Sequence, residues 1–277
     1  MRVIERYIDC DGYLFDPLKR SLIDVKDVPA NLLKSSFMQT PDFARLASSQ
    51  VSIAGEKSAY NRILALEITD KCNYACKYCF EGRSCENNGL LSLDNASATI
   101  DKLPPGSELR FFGGEPLLNF GLVKQLVAKY PQHSYSVITN GSLMTGEIAR
   151  YLAQHNFSVG LSFDGKDFQR RNRIPLSGDS LQQFERAIGY LKDAGVHTGI
   201  STAITKDSIS SLYDIHLEAF TDYGADAWAY LLVYNDSITM QDLDVFKKQI
   251  FAIVDRFPSQ HLLKINDLKK WAMKVGG

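Results

Sequence analysis

The sequence predicts an α/β protein, a partial parallel (β/α)6 TIM-like barrel carrying a small N-terminal hairpin-plus-helix extension. Three observations lead there. From Ile63 to Phe257, short apolar runs alternate with longer segments of helical period, and such alternation builds parallel βαβ units. Roughly six units are visible, fewer than the eight that close a barrel. Ahead of them, residues 1–57 follow a different pattern, two alternating runs around a turn.

In order, residues 12–16 and 21–25 alternate apolar and polar side chains across Pro17-Leu-Lys-Arg20, a hairpin signal. Helices are expected over 29–37 and 42–48, the second started by Pro41-Asp42. Strands are expected at 63–69, 109–112, 135–139, 157–163, 198–204 and 227–233. Helices fall between and after them at 92–103, 120–130, 145–155, 181–194, 209–223 and 240–257. Ser92 is the N-cap of the first of these, and Gly195 suits the end of the fourth. The organisation read from this pattern is an extension over 1–57, the barrel over 58–257 and a tail over 258–277 containing a short amphipathic stretch.

Bulk properties narrow the function classes. The chain has 277 residues, 45% hydrophobic and 23% charged, enough for a sizeable core. A net charge of −1 gives no basic footprint for nucleic acid. No apolar run reaches the length of a membrane span, and the charged start Met-Arg-Val-Ile-Glu-Arg lacks a signal-peptide core. Five cysteines (Cys10, Cys72, Cys76, Cys79 and Cys85) are an odd set with three clustered. That is no disulfide framework. It suits reduced thiols and a cytoplasmic protein.

Cys72, Cys76 and Cys79 are spaced C-x3-C-x2-C directly after the first barrel strand, hence at the end of the barrel where active sites form. No fourth ligand stands at the spacing that closes a structural zinc site. Three thiolates suit a cubane with three irons held by protein and one left open. Gly113, Gly114, Glu115 and Pro116 follow the second strand, where glycines permit close approach to a ligand and a carboxylate complements an ammonium. Thr139 and Asn140 end the third strand with short polar side chains that suit a ribose. Ser162 and Asp164 stand at the end of the fourth, Asp164 either fixing a turn or facing a ligand. Arg170, Arg171 and Arg173 form a basic stretch, read as a loop, that suits capture of a carboxylate.

These motifs resemble the radical S-adenosylmethionine (radical SAM) superfamily. The segment from Glu67 to Gly82, with Tyr78 before the last cysteine and Phe80 after it, resembles the branch of peptide maturases and anaerobic sulfatase maturases. The resemblance implies an open barrel, a [4Fe–4S] cluster on the three cysteines and S-adenosylmethionine on the open iron. It implies cofactor contacts from Tyr78, Phe80, Gly113, Gly114, Glu115, Pro116, Thr139, Asn140, Ser162, Asp164 and Arg173, with Arg173 rather than Arg171 on the cofactor's carboxylate. An external flavodoxin- or ferredoxin-type donor would supply one electron. Cleavage of the cofactor would give a 5′-deoxyadenosyl radical that takes hydrogen from a peptide or protein substrate, as in cross-linking or epimerisation. No cysteine follows Cys85, so the cysteine-rich auxiliary-cluster extension of the maturases is not expected, which counts against the alternative of a formylglycine-type sulfatase maturase. A non-catalytic iron–sulfur sensor or electron carrier would need no cofactor pocket, and the motifs after the second and third strands argue against it. The extension over 1–57 is read either as a reduced peptide-recognition element or as simple packing on the core.

Overall fold

The computed structural model describes residues 8–9, 13–16, 21–24, 63–79, 89–233 and 238–257. The expected helices over 29–37 and 42–48, the tail over 258–277, and Cys10, Phe80 and Cys85 lie outside the described residues. The chain divides into two compact units, Met1–Tyr60 and Asn61–Gly277.

In the first unit, β1 (Ile8–Asp9), β2 (Tyr13–Asp16) and β3 (Ser21–Asp24) form an antiparallel sheet in that order. The register Tyr13↔Asp24 to Asp16↔Ser21 is the expected hairpin; β1 extends it by a third strand.

The second unit is one parallel sheet of six strands in sequential order. They are β4 (Ile63–Thr69), β5 (Glu108–Gly113), β6 (Ser134–Thr139), β7 (Ser158–Ser162), β8 (His197–Ile204) and β9 (Ala227–Leu232). β4 and β9 are the two ends and do not pair, so the barrel is open on one side. Helices α1 (Leu93–Ile100), α2 (Phe120–Lys129), α3 (Gly146–Gln154), α4 (Lys166–Asn172), α5 (Ser180–Asp193), α6 (Leu212–Leu217) and α7 (Met240–Arg256) join or follow the strands. Ser92 caps α1, accepting a hydrogen bond from the Asn95 N–H at 3.2 Å. Gly195 follows α5 at φ +70°, where a side chain would be strained.

Alternate strand residues point to opposite faces. Leu66, Ile68, Leu109, Phe111, Val137, Leu161, Ile200 and Trp228 turn to the helix side and are buried, joining Ile100, Leu126, Leu152, Phe184 and Leu191 in one core. The other face of the sheet is the concave interior of the open barrel.

Two expectations need correction. The stretch around Arg170 and Arg171, read as a loop, is the helix α4. Its polar sequence has no apolar stripe to signal a helix, and tertiary contacts supply what periodicity does not. The helix expected over 209–223 is three short pieces, a 3₁₀ turn at Lys206–Ser211, then α6, then a π turn at Glu218–Asp222.

Candidate functional site

The cysteine loop leaves β4 at a register irregularity between Glu67 and Thr69 and lies at the carboxyl end of the sheet. It is held from three sides. Its backbone runs beside residues 172–176, with Ala75 N–Ile174 O at 2.7 Å, Lys77 N–Asn172 O at 3.0 Å and Leu176 N–Asn73 O at 3.0 Å. The turn after β5 is stitched to its root by Gly114 N–Thr69 O at 2.7 Å and Glu115 N–Lys71 O at 2.8 Å. From the turn after β6, Asn140 Nδ2 donates to Asn73 Oδ1 at 3.0 Å and approaches Cys72 Sγ at 3.9 Å. Asn73 Nδ2 in turn donates to Ser142 Oγ at 2.8 Å.

The two glycines of the second motif are required by this stitching. Gly113 has φ +132°, and a Cβ there would stand 2.3 Å from Thr69 O; at Gly114 it would stand 2.2 Å from Lys71 O. Any side chain would push the cysteine loop away from β5. Pro116 opens the 3₁₀ turn Pro116–Asn119, which Glu115 caps.

Glu115 is fully buried. Its Oε1 accepts from Leu117 N at 3.0 Å and Thr139 Oγ1 at 2.7 Å, and its Oε2 accepts from Asn140 N at 2.8 Å. Burial pushes its carboxyl pKa up, and these three donors pull it back. The residues expected to face a ligand therefore spend much of their polarity inside the protein. Thr139 Oγ1 also accepts from Gly141 N at 3.1 Å, and Asn140 Oδ1 accepts from Ser142 N at 2.9 Å. Glu115, Thr139 and Asn140 form a brace that fixes the turn beside Cys72. Ser162 differs, since no hydrogen bond of its hydroxyl to protein occurs among the described residues.

A second brace crosses the other side of the loop. Asp164, fully buried, accepts from Tyr78 OH at 2.5 Å, from Arg173 Nη2 at 3.0 Å and from Ala203 N on β8 at 3.1 Å. The Arg173 guanidinium lies 5.5 Å from the centroid of the Tyr78 ring. Its burial would lower its pKa, but Asp164, Tyr78 and Cys76 outweigh that and hold it charged. Among the described residues, Arg173 Nε is buried with no hydrogen-bond partner. Of the three arginines only Arg173 faces the cysteines. Arg170 pairs with Asp179 at the surface, and Arg171 bonds to Asp167 O and stacks on Phe168.

Cys72 and Cys76 are half-buried and Cys79 is exposed, all three as free thiols. Burial pushes the Cys72 thiol up to about 11 and raises Cys76, which Arg173 partly offsets. Metal binding to such thiols releases their protons. Among the described residues no three His, Cys, Asp or Glu side chains converge on a single ion. A cubane does not need that convergence, because each of its irons takes its own cysteine. The donor set fits such a cluster. Three thiols share one loop, Cys72 Sγ accepts from Tyr74 N at 3.4 Å, and a buried guanidinium stands beside Cys76. Hydrogen bonds to sulfur and nearby charge tune clusters of this kind.

Sequence reasoning missed the supports. The strand-like pairing of 73–77 with 172–176, the Asn73–Ser142 bond and the Tyr74 OH–Gln183 Oε1 bond join positions 69 to 109 residues apart, and no local pattern announces them. A cavity of about 380 Å³ opens between α2 and α3, lined by Phe120, Lys124, Thr145 and Tyr151 among others. None of the motif residues lines it.

An open parallel barrel with a three-thiol loop at its carboxyl end, braced against a Gly-Gly-Glu-Pro turn, is the architecture of an iron–sulfur protein with three thiol donors on one loop. The Radical SAM superfamily model matches residues 66–219, and the chain belongs to that superfamily, whose members use a [4Fe–4S] cluster and S-adenosylmethionine. Among its relatives, the radical SAM cyclopropyl synthase TigE of Paramaledivibacter caminithermalis is 27% identical over 215 residues, covering 66% of this chain and 45% of the relative. The AdoMet-dependent heme synthase of Nitratidesulfovibrio vulgaris is 33% identical over 178 residues, covering 62% and 48%. The solved structure of native anSMEcpe with bound AdoMet and Kp18Cys peptide shares the fold at a TM-score of 0.61 and 24% identity, covering 69% of this chain and 59% of that one. The chain thus spans about half the length of the curated relatives it matches.

Proposed function

We propose that the chain carries the catalytic barrel of a radical SAM enzyme that modifies a peptide or protein side chain. The observation that carries this is the doubly braced cysteine loop with Ser162, Arg173 and the Gly-Gly turn around it. When bound, the cluster and S-adenosylmethionine supply one-electron reductive cleavage and, from it, hydrogen abstraction.

The chain's own residues have separate tasks. Cys72, Cys76 and Cys79 hold the cluster as thiolates. Asn140, anchored through Glu115, supports Cys72, while Asp164 fixes the Tyr78 ring and the Arg173 guanidinium. Arg173, with its Nε unsatisfied, offers charge to the carboxylate of S-adenosylmethionine. Ser162 offers its hydroxyl to the ribose. The carbonyls of the Gly113–Glu115 turn are offered to the amino group, with the Glu115 carboxylate setting their position. Pro116 holds that turn against the cysteine loop. An external one-electron donor completes the partners.

The peptide substrate class is supported by the maturase-like segments around Cys72–Phe80 and Ser162–Gly165, and by the neighbour of the same fold that was solved with a peptide. The heme synthase likeness makes a non-peptide substrate the second reading, and a formylglycine-type maturase stays within the first. The test is anaerobic reconstitution followed by incubation with S-adenosylmethionine and dithionite. Formation of 5′-deoxyadenosine is expected, with a mass change or altered stereochemistry in a candidate peptide. Bound iron without any 5′-deoxyadenosine would refute the activity, and turnover of small molecules alone would refute the substrate class.

A further inference from the structure

The concave face of the sheet holds a charge that the site described above does not use. Glu67 and Phe112 are paired in register on β4 and β5. Phe111 pairs with Val137, so Ile138 stands next along the row. The row continues as Ile138↔Gly160, Gly160↔Gly199 and Gly199↔Ala227. A Cβ on Gly160 would touch Ile138 Cγ1 at 3.4 Å, and one on Gly199 would touch Ala227 Cβ at 3.4 Å, so these side chains share a face. Closed barrels fill such a layer with bulky branched residues. Here one side of the row is an acid and two large apolar residues, and the other side is almost bare.

Glu67 is exposed, and among the described residues its carboxylate has no ion pair or hydrogen bond. Its nearest charged neighbours on this face are already matched. Arg110 binds Glu108 at 2.8 Å, and Ser136 Oγ donates to the same carboxylate. Phe112 is half-buried and Ile138 is 38% exposed. An acid beside an aromatic ring and an aliphatic wall fits a long cationic side chain. The head meets the carboxylate and the ring, and the methylene stem lies along the apolar surface. On the other side of the row the described residues present no side chain larger than Ala227 to compete for the chain that carries it.

We infer that Glu67, with Phe112 and Ile138, is a specificity site that selects a lysine or arginine side chain of the substrate. This rests on the peptide reading above. It places the recognised residue two positions before the end of β4, just inside the cysteine loop.

The test uses the full chain with its cluster reconstituted, and four fluorophore-labelled pentapeptides on a neutral Gly/Ala host. Their central residue is lysine, arginine, norleucine or glutamate, and binding is read by anisotropy. Lysine and arginine peptides should bind about tenfold tighter than norleucine, with the gap shrinking at high salt. Glu67→Gln should close the gap, and Glu67→Lys should shift the preference to the glutamate peptide. The exposed position makes both variants foldable, checked by unchanged melting. Peptide binding that ignores charge, or a cationic preference that survives in Glu67→Gln, overturns the inference while leaving a peptide substrate in place. Failure of every peptide to bind overturns the peptide reading and this inference with it.

Discussion

Replacing Asp164 by alanine should be among the most damaging single changes in the barrel. The carboxylate is fully buried and its Arg173 partner has an 11% exposed side chain. Three donors converge on it from the cysteine loop, from the segment after α4 and from β8. Alanine leaves the guanidinium buried without a counter-charge and strands the Tyr78 hydroxyl and the Ala203 N–H. Removing one partner of a buried pair costs about 3–5 kcal/mol. For a chain of this size that is a fall of roughly 5–9 °C in melting temperature. The informative comparison is the double variant Asp164→Ala/Arg173→Met, in which no charge is left buried. Replacing both members of a buried pair with apolar groups is often close to neutral, so the double variant should regain about half or more of the loss. The assay is thermal melting of the metal-free protein under reducing, anaerobic conditions, which separates the fold from the cluster. Melting of Asp164→Ala within about 2 °C of wild type, or a double variant worse than the single one, would refute the reasoning.

Other predictions follow from the same geometry. Gly114→Ala places a Cβ 2.2 Å from Lys71 O, so the cysteine loop must shift; iron bound per chain after reconstitution should fall by about half or more, since the shift reaches the root of the ligand loop. Ser162→Ala should weaken S-adenosylmethionine binding by about 2- to 12-fold, the worth of one hydrogen bond, in a titration of the reconstituted protein, with iron content unchanged. Asp179 caps α5 through Leu181 N and Gln182 N and pairs with Arg170. The Arg170 hydrogen bond first, and the Gln182 N–H second, hold its carboxyl below the ordinary aspartate range. A depressed acid pKa stabilises the fold above the unfolded value and loses that contribution as pH falls through the folded value. Asp179→Ala should therefore cost about 1 kcal/mol near neutral pH, and the gap from wild type should narrow in urea unfolding as pH falls below the ordinary carboxylate range; a gap independent of pH would contradict the assignment.

The six strands were legible because each is a short apolar run ending in a glycine, asparagine or polar turn, and their helices because Leu122, Val123, Leu126 and Val127, for example, recur on one face. α4 was not legible, since Lys166–Asn172 carries one buried aromatic and little else apolar. The cluster of three thiols was legible through spacing alone. The roles of Glu115, Thr139 and Asn140 were only half legible. Their presence at strand ends marked a site, but the sequence pointed them at a ligand, whereas the structure spends most of their hydrogen bonds on each other and on the cysteine loop.

What the amino-acid order determined by itself was the repeated βα rhythm, the three-cysteine loop after β4 and the glycine turn after β5, because periodicity and close spacing act between neighbours in the chain. What only the tertiary structure decided was which arginine faces the thiols, that Asp164 reaches Tyr78 across 86 positions, and that among the described residues the Glu67 carboxylate meets no partner. Those outcomes depend on which strands lie side by side and which charges meet a partner on burial, and local sequence carries no record of either.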